Sequence, residues 1–223
     1  MFIESILNDP ENSTLVVTDG ERADVVIAAP HHAPLGAGGL QSAEHPAADE
    51  NAGLLAYRVS RLLDCPCVIA CNYFIDANKD EGSNYSKRIV LLAPRVLVEI
   101  HGHGGGSARF DIEISSGSAA RNGWSWELAE RLRAGMAALP LLRGYSLSGD
   151  FASIYFKATK SWTITTGKWI PFHIELPRSI REEERRYAPF CEVLAETLSG
   201  MLGDFEELDM RGTNTLNTKE HQG

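Results

Sequence analysis

The chain has 223 residues, 43% of them hydrophobic, which is enough for one substantial core and calls for no second domain. Its 30 acidic against 21 Lys and Arg residues give a formal charge of −9, which argues against the clustered excess of Lys and Arg that a nucleic-acid-binding surface needs and leaves room for a local cationic pocket. No stretch approaches the ~20 apolar residues of a membrane span. Met1 to Asn12 carries acids where a secretory leader would be basic and then apolar, so a cytoplasmic protein is expected.

Ala23 to Ala29 (ADVVIAA) reads as a buried strand that ends at Pro30-His31-His32-Ala33-Pro34. A loop broken by Gly36, Gly38 and Gly39 follows to about Pro46. A helix is expected from near Asp49 to Leu63, with Leu54, Leu55, Val59, Leu62 and Leu63 on its apolar face and acids at its start, where they suit the helix dipole. Cys67 to Cys71 (CVIAC) reads as a second buried strand and Arg95 to His101 as a third. Cys65, Cys67 and Cys71 lack a fourth nearby metal ligand, and a chain this long needs no staples, so buried reduced thiols are expected. Phe110 to Ser115 (FDIEIS) alternates with period two, placing Asp111 and Glu113 on one face.

Trp126 to Leu139 reads as a helix with Ser125 as its N-cap. Shorter strands are expected near Ile154 and Thr163, and Phe172 to Leu176 (FHIEL) is a last strand stopped by Pro177. Ala188 to Leu202 reads as a C-terminal helix with Pro189 in its first turn, and the polar tail after about Arg211 as disordered. There is neither repeat nor linker. Strands alternating with helices predict a single α/β domain over residues 1–210, with a mixed, largely parallel central sheet flanked by helices.

The chemistry concentrates where apolar runs stop. Leu97-Val98-Glu99-Ile100-His101-Gly102-His103-Gly104-Gly105-Gly106 breaks from a strand into histidines and glycines. In an open α/β sheet the carboxyl ends of strands face the ligand crevice, imidazole is the commonest metal ligand near neutral pH, and glycine permits close approach. A catalytic zinc takes three ligands from His, Glu and Asp and keeps one position for water. His31 or His32, the strand-end His101, and Asp49 or Glu50 in the turn Asp49-Glu50-Asn51-Ala52-Gly53 form such a set. Asn78 and Lys79, in Ile75-Asp76-Ala77-Asn78-Lys79, read as a donor pair for a substrate carboxylate. Glu175, facing the crevice from its apolar strand, reads as a general base whose pKa burial would raise. Each has an ordinary reading as well: a loop histidine, a helix-start acid, an Asn/Asp turn, an edge-strand glutamate.

The order of these pieces over about residues 25–180 resembles the N-formylglutamate amidohydrolase family. That family shows a Pro-His turn, an acidic segment, an Asp-x-Asn-Arg turn and a later strand-end histidine, as Pro30-His31, Asp49-Glu50, Asp76-x-Asn78-Lys79 and His101 do here. The family is related in fold to the zinc carboxypeptidases and the aspartoacylase group. The resemblance implies zinc held by His31, Glu50 and His101, with His32 and Asp49 as substitutes for the first two. It implies Glu175 as the general base, similar to the base strand of the carboxypeptidases, and Asn78 and Lys79 as holders of the substrate carboxylate. His103 is expected to contact substrate or to support a ligand. The chain departs from the pattern at Lys79, where the family has arginine, and at Pro34, where a carboxypeptidase His-x-x-Glu pair would have its glutamate.

No Gly-x-Ser-x-Gly elbow is present, and Ser148-Gly149-Asp150 lacks the strand-to-helix context of a serine nucleophile. Gly102 to Gly106 has no Gly-Lys-Ser/Thr ending, and no Gly-x-Gly-x-x-Gly follows the first strand. The reading is a zinc-dependent amidohydrolase of an N-acyl amino acid or similar carboxylate-bearing substrate. A carboxypeptidase-like enzyme acting on short peptides is one alternative, and a non-catalytic metal- or ligand-binding module is the other. Glu175 separates them, because a binding module needs no base beside the metal.

Overall fold

The computed structural model describes residues 2–217, with side chains described through residue 204. The chain runs through α1 (Phe2–Leu7), β1 (Thr14–Thr18), β2 (Val25–Ala33), β3 (Asp49–Glu50), α2 (Ala52–Leu63), β4 (Cys67–Cys71) and α3 (Asn84–Leu92). It continues through β5 (Val96–His103), β6 (Ile112–Ser115), α4 (Asn122–Ala137), β7 (Leu147–Ser148), α5 (Trp162–Thr165), β8 (Ile170–Pro177), α6 (Arg178–Arg181) and α7 (Glu184–Asn217). The strands form one sheet in the order β1-β4-β2-β5-β8-β6-β7, with β3 paired to β2. β4, β2, β5 and β8 are mutually parallel, while β1 and β6 pair antiparallel with β4 and β8. This is the mixed, largely parallel sheet that the sequence predicts.

The near-continuous apolar runs of β2, β4 and β5 are what a sheet covered on both faces requires. Val25, Ile27, Ile69, Val98, Phe172 and Ile174 face a core shared with α2, α4 and α7. Val26, Ala28, Val68, Ala70 and Leu97 face the other way, onto Tyr85 and Ile89 of α3 and onto Trp169. All four cysteines are free and buried, and burial pushes the thiols of Cys65, Cys71 and Cys191 up to about 12. Among the described residues no helix is long and apolar enough to cross a membrane.

Several local expectations give way to tertiary pairing. Asp49 and Glu50 do not open a helix; they pair with His32 and Ala33 as β3, and Asn51 at φ 66° turns the chain into α2. The Asn51 amide N–H donates to Ala33 O at 2.8 Å, and its side chain donates to Arg181 O at 2.6 Å, which fixes that left-handed corner. α4 begins at Asn122, so Ser125 lies inside it and donates to Gly149 O at 2.8 Å rather than capping. No strand forms at Ile154, and Thr163 lies in α5. α7 begins at Glu184, four residues early, so Pro189 falls past its first turn. α1, β1 and α3 stand where no element is predicted, although Ser83 caps α3 by accepting from Ser86 N at 2.9 Å. The helix is described to Asn217, and the expected disordered tail falls, for residues 218–223, outside the described residues.

α2 rests on the sheet with almost no gap at Gly53. A Cβ there would come within 2.5 Å of His32 Cγ and 2.7 Å of Ile69 Cγ2. Alanine in a helix ordinarily gains at most ~1 kcal/mol over glycine, whereas overpacking of this kind costs about 1–3 kcal/mol. Gly53→Ala is therefore expected to lower the urea midpoint of unfolding; an unchanged or raised midpoint would show that helix and sheet can part.

Candidate metal centre and active-site cleft

Strand β2 carries an irregularity that decides which histidine enters the cleft. Ile27, Ala28 and Ala29 pair with Cys67, Val68 and Ile69, but His32 pairs with Cys71. Three residues of β2 thus stand against two of β4, a bulge that reverses side-chain alternation beyond it. His32 turns toward α2, where its Nδ1 accepts from Gly53 N at 3.1 Å and its Nε2–H donates to Leu7 O at 2.9 Å. Burial pushes the His32 imidazole down to about 4. Both its nitrogens are satisfied within the core, and His31 takes the opposite face.

β5 and β8 complete the arrangement by register. Glu99 stands beside His173 and His101 beside Glu175, all buried and all on the face opposite Ile100 and Ile174. β3 delivers Asp49 to the same place from the end of β2. The Asp49 Oδ2 lies 3.0 Å from His101 Nδ1 and 3.4 Å from His31 Nδ1. The far nitrogens meet other carboxylates: His31 Nε2–H donates to Asp76 Oδ1 at 2.9 Å, and His101 Nε2–H reaches Glu99 Oε2 at 3.4 Å. Carboxylates placed this way fix the tautomer and orientation of a ligating imidazole.

Ligand atoms of His31, Asp49 and His101 lie within 4.8 Å of one another, and His31 Nδ1 is buried with no hydrogen-bond partner. Two imidazole nitrogens and one carboxylate oxygen converging on one point fit a catalytic divalent metal. Glu99, His101 and His173 also lie close enough to hold an ion. Glu99, however, already accepts from Asn78 Nδ2 (3.0 Å), the Tyr85 hydroxyl (2.9 Å) and the Thr163 hydroxyl (2.7 Å), which makes it a brace for His101.

The electrostatics follow from burial against pairing. Burial pulls His101 down, but its bonds to Asp49 and Glu99 outweigh that and raise it to about 10. Burial would likewise raise Asp49 and Glu99, yet the bonds to His101 hold both carboxyls below their ordinary range. Asp76, bonded to His31 and ion-paired with Lys79, is held down to about 2 against its own burial. His45, whose ring centre is 3.8 Å from that of His31, is lowered to about 4 by burial and by the neighbouring His31 charge.

Glu175 accepts from His173 Nε2–H at 3.0 Å through Oε1, while its Oε2 has no partner. It shares a cleft of about 520 Å³ with His31, His101, Asn78, Lys79 and the loop 155–161. That loop hangs from the buried Glu113. Its Oε2 accepts from Tyr155 N and Phe156 N at 2.8 Å each, and its Oε1 from Arg109 N (2.7 Å) and Phe110 N (3.2 Å). The Ser115 hydroxyl adds a bond to Lys157 O at 2.8 Å.

The structure thus brings together His31, His101, Glu175, Asn78 and Lys79, with Asp49 rather than Glu50 as the carboxylate at the histidines. Adjacent strand residues point oppositely, and Glu50 accepts from Gly36 N at 2.9 Å and faces Arg178 at 3.3 Å. His103 does not line the cleft. Its Nε2–H donates to Asp111 O at 2.9 Å and its Nδ1 accepts from Gly105 N at 3.0 Å, so the ring ties its own turn. Asn78 turns its amide to Glu99, leaving Lys79 as the cleft-side donor of that pair. Asp76, Glu99, His173 and His45 are absent from the sequence-based site. Glu99 and His173 each stand two residues before a predicted site residue, the spacing that places both on one strand face.

No protein-family model matches the chain, and no curated protein does. Among solved structures, the gene product Atu2144 from Agrobacterium tumefaciens is similar with a TM-score of 0.55 at 16% identity, over 88% of this chain and 97% of that one. The N-acetylmuramoyl-L-alanine amidase AmiC2 of Nostoc punctiforme gives 0.51 at 12%, over 83% and 99%. A bacteriophage poly-gamma-glutamate hydrolase gives 0.50 at 12%, over 85% and 89%. At such identities the likeness is one of fold alone, the single α/β domain expected from the sequence, and no family is assigned.

Two outcomes follow from this geometry. Asp49→Asn is expected to weaken zinc binding at least about tenfold, and Glu50→Gln to leave it within threefold, by competition with a chromogenic chelator. Because His101 holds its second proton to about pH 10 in the metal-free protein, binding must displace that proton. His31 is raised as well by its bonds to Asp49 and Asp76 against burial, so zinc affinity should rise at least about tenfold per pH unit from 6 to 8, with proton release visible in calorimetry across buffers of different ionisation enthalpy; a flat profile would contradict the assignment.

Proposed function

We propose that this protein is a zinc-dependent hydrolase of amide bonds, acting on an N-acyl amino acid of the N-formylglutamate type or a similar carboxylate-bearing substrate. The observation that carries the reading is the convergence of His31 Nδ1, Asp49 Oδ2 and His101 Nδ1 beside Glu175, whose Oε2 is buried and unpartnered. His31, Asp49 and His101 would hold the metal. When bound, zinc polarises a carbonyl and lowers the pKa of water from 15.7 toward ~7.

The remaining work falls to side chains. Asp76 and Glu99 keep both histidines presenting Nδ1. Glu175 Oε2 takes the proton of the attacking water and returns it to the leaving nitrogen. Lys79 gives one N–H to Asp76, and an ammonium has three, so two remain for a substrate carboxylate. Lysine there acts as a point charge, less selective in geometry than the arginine of the family it resembles. The fold shared with a poly-gamma-glutamate hydrolase and an amidase supports amide hydrolysis, and the order of Pro30-His31, Asp76-x-Asn78-Lys79 and His101 supports the N-formylglutamate type.

The test pairs zinc content with amine release from N-formyl-L-glutamate, other N-acyl amino acids and short peptides. Glu175→Gln is expected to keep its zinc and lose hydrolysis about 100-fold or more. A zinc-loaded wild type that hydrolyses none of them would leave the binding-module reading in its place.

A further inference from the structure

His173 is a buried histidine that the metal set leaves unexplained. It stands on β8 two residues before Glu175, on the same face of the sheet. Its Nε2 lies 3.0 Å from Glu175 Oε1, its ring centre 4.0 Å from that of His101, and its Nδ1 is buried with no partner. An ionised carboxylate only accepts, so the ring must be the donor and its proton must sit on Nε2. The terminal torsion of a glutamate is broad and nearly two-fold, so an untethered Glu175 could present either oxygen at a range of angles. General-base catalysis requires one oxygen held within hydrogen-bond reach of the water.

We propose that His173 is a positioning residue for Glu175: it ties Oε1 through its Nε2–H, leaves Oε2 as the one oxygen that takes the water's proton, and through its packing on His101 sets the base beside the metal ligands. The role rests on the hydrolase reading given above. It differs from a ligand role, in which His173 would join Glu99 and His101 around an ion.

Nitrogen-15 spectra of histidine-labelled protein, with His173 assigned by its loss in His173→Gln, test the geometry without a substrate. The proton is expected on Nε2, Nδ1 bare, and neither nitrogen moved to a metal-bound shift by one equivalent of zinc, while His31 and His101 do move. A proton on Nδ1, or a zinc-induced coordination shift at His173, would overturn the proposal. Kinetics with N-formyl-L-glutamate test the consequence. His173→Leu is expected to lower kcat about 100-fold with KM within about threefold and zinc content unchanged. His173→Gln keeps an N–H donor and should recover about tenfold of that loss. Wild-type kcat in His173→Leu, or equal losses in both variants, would also overturn it. Absence of turnover in the wild type would count against the hydrolase reading alone, because the nitrogen spectra judge His173 separately.

Discussion

Pro30, His31 and His32 occupy the length of β2 that two residues, Ala70 and Cys71, occupy on β4. The face taken by each side chain beyond Ala29 follows from that mismatch. In a regular strand His31 would continue the row of Val25, Ile27 and Ala29 against α2, and His32 would enter the cleft. The surplus residue exchanges them. His32 becomes a packing group closed against Gly53 and the end of α1, and His31 meets Asp49, Asp76 and His101. Given that exchange, the register of β5 against β8 adds Glu99, His101, His173 and Glu175, while β3 brings Asp49 and the loop after β4 brings Asp76 and Lys79.

The cleft floor gathers Asp49, Asp76, Glu99 and Glu175 in one buried place, an arrangement that would be severe if the charges stood alone. Each is matched. Asp49 lies between two imidazoles, Asp76 between His31 and Lys79, and Glu99 under four donors. Glu175 is the exception, with one oxygen bonded and one bare. The unpartnered oxygen of Glu175 is the feature on which its proposed part as general base rests.

Much of this was legible in the sequence because it rests on local pattern. Apolar runs marked the central strands, and the breaks after Ala29 and Ile100 and the charge inside FHIEL marked where chemistry collects. Choices that depend on pairing were not legible. Asp49 and Glu50 look like a helix start, and only the folded contacts show that Asp49 meets His31 and His101 while Glu50 faces Arg178. The same holds near Ile154, where alternation suggests a short strand but the Tyr155 and Phe156 amides are claimed by Glu113, some forty positions earlier. Pairing also decides His103, expected to contact substrate or support a ligand: both its nitrogens bond within its own turn.

The way Glu113 holds the cleft wall has a consequence for how such a protein could diversify. It grips Tyr155 and Phe156 by their main-chain N–H groups, which any residue but proline supplies. Side chains along the wall can then be exchanged without loosening the wall itself, while His31, Asp49, His101 and Glu175 sit on the strands beneath. In the proposed hydrolase, change along residues 155–161 would alter what the cleft accepts while leaving those strands untouched, whereas Lys79, paired with Asp76 beside His31, is tied to the metal site itself.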